Sequence, residues 1–265
     1  MMILFFVLIP ALGAIYLSTT EWFLVGTPTF VGLANYVGIL TSSAFGQSLI
    51  ITLVVAVGVA LPGSLLALVL ALLLTRVGKG ISVYQTIVYL PLVVPSVVSS
   101  IVWGALYVGN GVINSILGVS IPWLTHPVLA VISILVLMIW TNSGYYAILV
   151  FAGLQDIPRE VIEAASMDGA SALQRFRYIL FPLLRPVLLF VGVIATTDAL
   201  TLFVQPYLLT QGGPGSATQT LSLLIYQTAF RFGDVGKASA MAVVLLVLAI
   251  GFAIAQFRAL RSSDE

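Results

Sequence analysis

"EVIEAASMDGASALQRFRYILFPLLRP", residues 160–186, stands apart from the rest of the chain. It mixes carboxylates, guanidinium groups, alanines and a glycine, like the surface of a water-soluble protein. Around it run long stretches of Leu, Val, Ile and Ala with almost no charge. Of the 265 residues 60% are hydrophobic and 7% charged, with a mean hydropathy of +1.17. Soluble domains carry about 25% charged residues, so a soluble fold could not cover its surface from this sequence. The class that remains is an all-α integral membrane protein.

The same composition excludes other classes. A net charge of +1 with no basic cluster argues against nucleic acid as a partner. With no cysteine and the single histidine His126, neither disulfides nor a thiolate or histidine metal centre is available. Residues 1–17, "MMILFFVLIPALGAIYL", lack the basic flank of a signal peptide and read as a membrane helix. The missing flank is also unusual for a first helix and leaves room for further chain upstream.

Cutting the apolar runs at Gly, Pro and polar clusters predicts six spans. They are Met2–Leu17, Ser48–Thr75, Tyr84–Tyr107, Val128–Leu154, Val187–Val204 and Ala238–Phe257. With both termini cytoplasmic, the inside segments hold Arg76, Lys79, Arg159, Arg175, Arg177, Arg185, Arg258 and Arg261, eight of the ten basic residues. The organisation expected is a first helix and external segment (1–42), a transmembrane domain (43–258) with a cytoplasmic loop at 155–186, and a cytoplasmic tail (259–265). Eight of the nineteen charged residues fall between 153 and 185.

That loop reads as two helices. Asp156 is expected to cap the first, with Pro158 and Glu160 in its opening turn. Ile157, Val161, Ala164, Ala165 and Asp168 follow helical spacing, and the alanines allow close approach. Gly169 suits a left-handed helix end. Ser171 and Gln174 form a capping box for a second helix carrying Leu173, Phe176, Ile179 and Leu180, closed by Pro182. A plain solvated connector is the competing reading, but a loop with this much built-in structure reads as a docking element.

These residues resemble the inner-membrane subunits of ATP-binding-cassette importers. Their cytoplasmic pattern is E-A-A, three residues, G, nine residues, then I-x-L-P. Here it reads Glu163-Ala164-Ala165, Gly169, then Ile179-Leu180-Phe181-Pro182, with Phe181 where Leu is usual. "FVGLANYVGIL" (30–40), "YLPLVVPSVVSSIVWGALY" (89–107) and "YLLTQGGPGSATQTLSLLIYQTAF" (207–230) resemble the carbohydrate branch, the maltose and glycerol-phosphate type. The resemblance implies the type I importer permease fold in the prokaryotic cytoplasmic membrane. It implies a second, similar permease subunit, two copies of a cytoplasmic ATPase that binds ATP and Mg, and an external solute-binding protein. It also implies that Glu163, Ala164, Ala165, Met167, Asp168, Gly169, Ala170 and Phe176 couple this chain to the ATPase.

No catalytic set is visible: no nucleophile–histidine pair, no Walker lysine loop, no paired intramembrane carboxylates. Candidates for the transport path are few. Asp198 is the sole ionisable residue inside a predicted span, where a charge marks function by default. Its alternatives are a hydrogen bond to Thr196, Thr197 or Thr201, or a place nearer the interface. In "WTNSGYY" (140–146), Asn142 could bond sugar hydroxyls and Tyr145 or Tyr146 could stack on a pyranose; helix–helix packing is the alternative. Gln205 joins the path candidates. Pro91 and Pro95 predict a kink, with Ser96, Ser99 and Ser100 satisfying freed carbonyls. The Gly212–Gly215 stretch reads as a turn. The rivals to a permease are a secondary transporter, which calls for internal repeats or several intramembrane charges, a membrane enzyme, and an assembly scaffold.

Overall fold

The computed structural model describes residues 4–261. Met2, the start of the first predicted span, and the last four residues of the tail lie outside the described residues. A π-helical turn, Leu4–Leu8, leads into α1 (Ile9–Ser18). A short antiparallel ribbon follows, β1 (Thr20–Glu21) against β2 (Thr29–Phe30), and then α2 (Ala34–Leu40). Next come α3 (Ser43–Leu74), α4 (Ile81–Val93), α5 (Ser96–Tyr107), α6 (Val112–Leu117) and α7 (Pro127–Gln155). The charged loop forms α8 (Arg159–Met167) and α9 (Ala172–Arg175), and a π-helical turn, Phe176–Leu180, joins it to α10 (Phe181–Leu200). α11 (Val204–Leu209), α12 (Leu221–Tyr226) and α13 (Val235–Arg261) complete the chain.

Among the described residues five helical stretches are long and apolar enough to cross a membrane: Ser43–Leu74, Ser96–Leu117, Pro127–Gln155, Ala172–Leu209 and Val235–Arg258. The first predicted span corresponds to a shorter apolar helix, Phe5–Ser18. The third, expected as one kinked helix, is two. Val94 is extended at φ −72, ψ 123, because the ring of Pro95 bars its predecessor from the helical region. Ser99 and Ser100 do not serve the carbonyls freed by the prolines. Both hydroxyls donate to Ser96 O, at 3.1 and 2.6 Å, within their own helix. The fifth predicted span ends four residues early, at Leu200. There Thr220 Oγ1 donates to Leu202 O at 2.8 Å and Ser222 Oγ to Leu200 O at 3.4 Å, drawing those carbonyls away from a continuing helix.

The chain divides into two compact units, each assembled from three separate pieces. One comprises Met1–Ala56, Ser96–Ile134 and Asp198–Gly251. Buried polar groups organise it. Asn35 donates to Ser18 O and Thr20 O at 2.9 and 2.8 Å, and Leu221 N donates to Thr52 Oγ1 at 2.8 Å. Asn114, 4% exposed, donates to Gly109 O and Ile121 O and accepts from Ile121 N and Trp123 Nε1. Asp234 accepts from Lys237 N at 3.0 Å and pairs with its ammonium at 2.8 Å, capping α13. The Gly212–Gly215 turn is pinned as well: Thr218 Oγ1 donates to Gly213 O at 2.8 Å.

The other unit comprises Val57–Pro95, Leu135–Thr197 and Phe252–Glu265. Its core joins Ala67 and Ala71 of α3, Tyr146 and Val150 of α7, and Leu184 and Val191 of α10, all fully buried. Small residues let its helices approach. A Cβ added at Gly153 would lie 2.7 Å from Val187 Cγ2, and one at Gly144 only 1.8 Å from Val88 O. Lipid tails are as apolar as these side chains, so close van der Waals packing holds membrane helices together.

Candidate functional site

The charged loop belongs wholly to the second unit. Pro158, extended at φ −58, ψ 133, precedes α8, and Glu160 occupies the first turn. The expected Asp156 cap is not made. Asp156 N donates to Ala152 O at 3.2 Å, which leaves this residue in the turn ending α7. The buried face is not the whole set at helical spacing. Ile157 and Ala165 are buried and Ile162 packs against the same core, while Val161, Ala164 and Asp168 are exposed. Ile162 takes the core position instead of Val161, which turns the face by about 100°, one residue of a 3.6-residue turn.

The end of α8 matches the sequence reading. Gly169 has φ +76. Ala170 N donates to Ala165 O at 3.0 Å and Gly169 N to Ser166 O at 3.1 Å, the two bonds of a Schellman motif. A Cβ on Gly169 would meet nothing within 4 Å, so glycine is needed there for its backbone conformation and not for space. The capping box is also present: Gln174 N donates to Ser171 Oγ at 3.3 Å, and Ser171 N to Gln174 Oε1 at 2.7 Å. The Arg175 guanidinium donates to Ser166 Oγ, tying α9 back to α8.

Pro182 does not close the second helix as expected. The wide turn at Phe176–Leu180 removes the usual clash between a proline ring and the carbonyl four residues back, and the chain runs on into α10. Leu173, placed at helical spacing with Phe176, Ile179 and Leu180, is 73% exposed. Met167 at 88% and Tyr178 at 70% are exposed as well. Asp168, Gly169, Ala170, Gln174, Tyr178 and Ile179 line a cleft of about 320 Å³. Among the described residues no carboxylate of the loop is in an ion pair. Glu160, Glu163 and Asp168 thus present their charge outward, next to exposed apolar side chains. The sequence signal missed was the polar spacing around Leu173 and Tyr178, which fits an outer face better than a core one.

The path candidates do not come together in one unit. Asn142, Tyr145 and Tyr146 lie in the second unit, Asp198 and Gln205 in the first. Residues 141–146 do not interrupt α7. Thr141 Oγ1 donates to Leu137 O at 2.9 Å and Asn142 Nδ2 to Met138 O at 3.1 Å, both folded onto their own helix. Tyr146 is fully buried against the Gly63 region of α3 and offers no surface to a solute. Asn142 is 9% and Gln205 6% exposed, while Tyr145 is half-buried. Asp198 is exposed in the last turn of α10. His126 is exposed before α7, and no group of three or more metal-ligand side chains occurs among the described residues.

Residues 63–261 match the family described as the binding-protein-dependent transport system inner membrane component, and that region contains the whole of the loop. The chain belongs to this family. It is 38% identical over 259 residues to the trehalose/maltose transport system permease protein MalF of Thermococcus litoralis, covering 95% of this chain and 87% of that one. It is 35% identical to the sn-glycerol-3-phosphate transport system permease protein UgpA of Agrobacterium fabrum, with 94% and 87% covered. Its fold resembles that in the crystal structure of a bacterial ABC transporter involved in import of the acidic polysaccharide alginate. The TM-score is 0.85 at 23% identity, over 98% of this chain and 91% of that chain. The chain is a membrane-spanning permease of an ATP-driven importer, with the type I permease fold.

Proposed function

We propose that this permease forms half of the path for a sugar or sugar-like solute, and that the loop at residues 155–186 is where a separate ATPase docks. Trehalose/maltose and glycerol-phosphate permeases among its relatives support the solute class. The observation that carries the docking reading is the loop itself. Buried Ile157 and Ala165 fix it to the helix bundle, while a Schellman turn presents Met167, Asp168 and Gly169 to the exterior. Glu163, Ala164 and Ala170 flank that turn, and half-buried Phe176 relays its position to the bundle. ATP and Mg are bound by the ATPase, two copies of which serve this chain and a second, similar permease subunit. An external binding protein delivers the solute; a structural neighbour is a complex with an alginate pentasaccharide-bound periplasmic protein.

The basic residues at 76–79, 159–185 and 258–261 support an orientation with the loop and both termini cytoplasmic. In that arrangement residues 1–42 are the leading helix and external segment, 43–258 the transmembrane domain and 259–265 the tail. In the second unit Tyr145 is the candidate for contact with the solute and Asn142 its buried neighbour; in the first unit the candidates are exposed Asp198 and buried Gln205. The deciding experiment is reconstitution with the ATPase, the second permease and the binding protein. Glu163→Lys is expected to lose ATPase co-purification and uptake while the permease remains inserted; normal binding and uptake would make the loop a connector only.

A further inference from the structure

Outside the loop, the second unit holds an apolar cleft of about 400 Å³ between α3 and α10. Its walls are Leu65 and Leu68 on α3 and Leu188 and Leu189 on α10. Phe181 and Arg185 line it at the start of α10. Leu72, Thr75 and Arg76 line a neighbouring cleft with Phe176 and Leu180, so the end of α3 meets the beginning of α10. The leucine cleft therefore opens beside the loop and runs from there along the two helices. From Phe181 to Leu189 it follows α10 for about 12 Å, at 1.5 Å per residue.

Two polar groups in this cleft lack partners. Among the described residues Arg185, exposed one turn into α10, makes no ion pair and no hydrogen bond. Ser64 Oγ, in the wall farther from the loop, is buried with no hydrogen-bond partner. A guanidinium at the membrane edge calls for an anion with several acceptor oxygens. The charge around it favours one too: residues 175–185 carry Arg175, Arg177 and Arg185 with no carboxylate. The loop's acids all lie earlier, between Asp156 and Asp168.

We propose that this cleft is a binding site for one anionic phospholipid, its phosphate on Arg185 and an acyl chain along Leu65, Leu68, Leu188 and Leu189. Ser64 lines the same cleft from α3. A water-soluble anion fits only the Arg185 end and leaves the leucine walls uncovered. A neutral lipid fills the walls and leaves the guanidinium unpaired. The site requires only that the chain sits in a bilayer, so it stands apart from the docking reading of the loop.

The test is native mass spectrometry of the full chain, released from detergent after titration with phosphatidylglycerol or with phosphatidylcholine of the same acyl chains. One phosphatidylglycerol is expected to remain bound per chain at concentrations where phosphatidylcholine is lost. Arg185→Gln is expected to weaken phosphatidylglycerol retention at least tenfold and leave phosphatidylcholine unchanged, whereas Arg185→Lys retains most of it. Leu188→Trp, which fills the cleft but keeps the charge, is expected to reduce retention as well. Each variant is first matched to the parent in size-exclusion profile and melting temperature. Equal retention of both lipids, or an unchanged Arg185→Gln, overturns the proposal. So does competition by soluble glycerol phosphate, which would make the site one for a free anion, or loss of the lipid when a second permease subunit binds.

Discussion

The loop at 155–186 and the polar stretch at 141–146 are both exceptions in an apolar chain, and they use their polar atoms in opposite ways. In the loop, polar groups cap helices, bridge α8 to α9 and leave their carboxylates exposed. In α7 the hydroxyl of Thr141 and the amide of Asn142 fold back onto their own backbone, while Gly144 lets α4 approach to backbone contact. The difference lies in which neighbours decide. A capping box or a Schellman turn is settled within six residues of chain, so its sequence signature is complete. Whether Asn142 faces a solute or a helix depends on α3 and α4, about fifty to a hundred residues away in the chain. The test of this contrast is to damage each region and ask whether the fold or the function gives way.

The largest effect is expected at Gly144. In Gly144→Ala the new Cβ would lie 1.8 Å from Val88 O, an overlap with backbone that no rotamer relieves. The cost is set at ~3 kcal/mol or more, the upper range for overpacking a core. Little monodisperse permease should be recovered from membranes. A normal yield with an unchanged melting temperature would show that α4 and α7 do not pack this closely.

Gly169→Val is the counterpart in the loop. Its left-handed φ of +76 disfavours a β-branched residue by about 1–2 kcal/mol, but the space around it is open. The permease is expected to insert and purify normally, with ATPase co-purification or ATP-coupled uptake lost. A fall in yield like that of Gly144→Ala would place the glycine in the fold and not in docking.

These two glycines also show how much was legible. The positive φ at Gly169 could be read from the residues before and after it, and so could the Ser171–Gln174 box. The helical class followed from composition, and four spans came within five residues of the observed helices. The break at Val94 was half-legible, since Pro95 marked a kink but not its sharpness. The inward face of α8 was missed because Val161 and Ile162 are equally apolar, and only the α3–α7–α10 core selects between them. The end of α10 was missed because its cause, Thr220 and Ser222, lies some twenty residues downstream. The path residues were legible as chemistry but not as geometry: nothing local says that Tyr146 is enclosed while its neighbour Tyr145 keeps surface.

That pair of tyrosines and Asn142 sharpen the contrast inside α7 itself. Asn142→Ala removes the bond to Met138 O and is expected to cost about 1 kcal/mol of stability, with uptake per folded molecule close to the parent. Tyr145→Ala is expected to keep the fold and ATPase assembly but to lower uptake severalfold. Reversed results, with uptake lost in Asn142→Ala and kept in Tyr145→Ala, would put the solute on the opposite side of this helix turn.

The smallest effect expected is at Ser171, and it probes how finely the loop is set. Ser171→Ala removes the acceptor for Gln174 N but leaves Gln174 free to reach Ser171 N, so half of the box survives. Loss of such a cap costs about 1 kcal/mol, and α9 is one turn long, with little else of its own to hold it. The Arg175–Ser166 bond and the Schellman turn still join α9 to α8, so the pair should loosen without separating. The expected outcome is an unchanged melting temperature for the whole permease, faster amide exchange confined to residues 171–176, and a modest loss of ATPase affinity. Gln174→Ala should act similarly by removing the other bond, and the double variant should lose less than the sum of the two, since the bond surviving each single change is weaker without its reciprocal partner. Strictly additive losses would mean that the two bonds act independently and that the box is not one device. Unchanged exchange in all three variants would mean that the ordering of α9 comes from its continuity with α10 through the π turn.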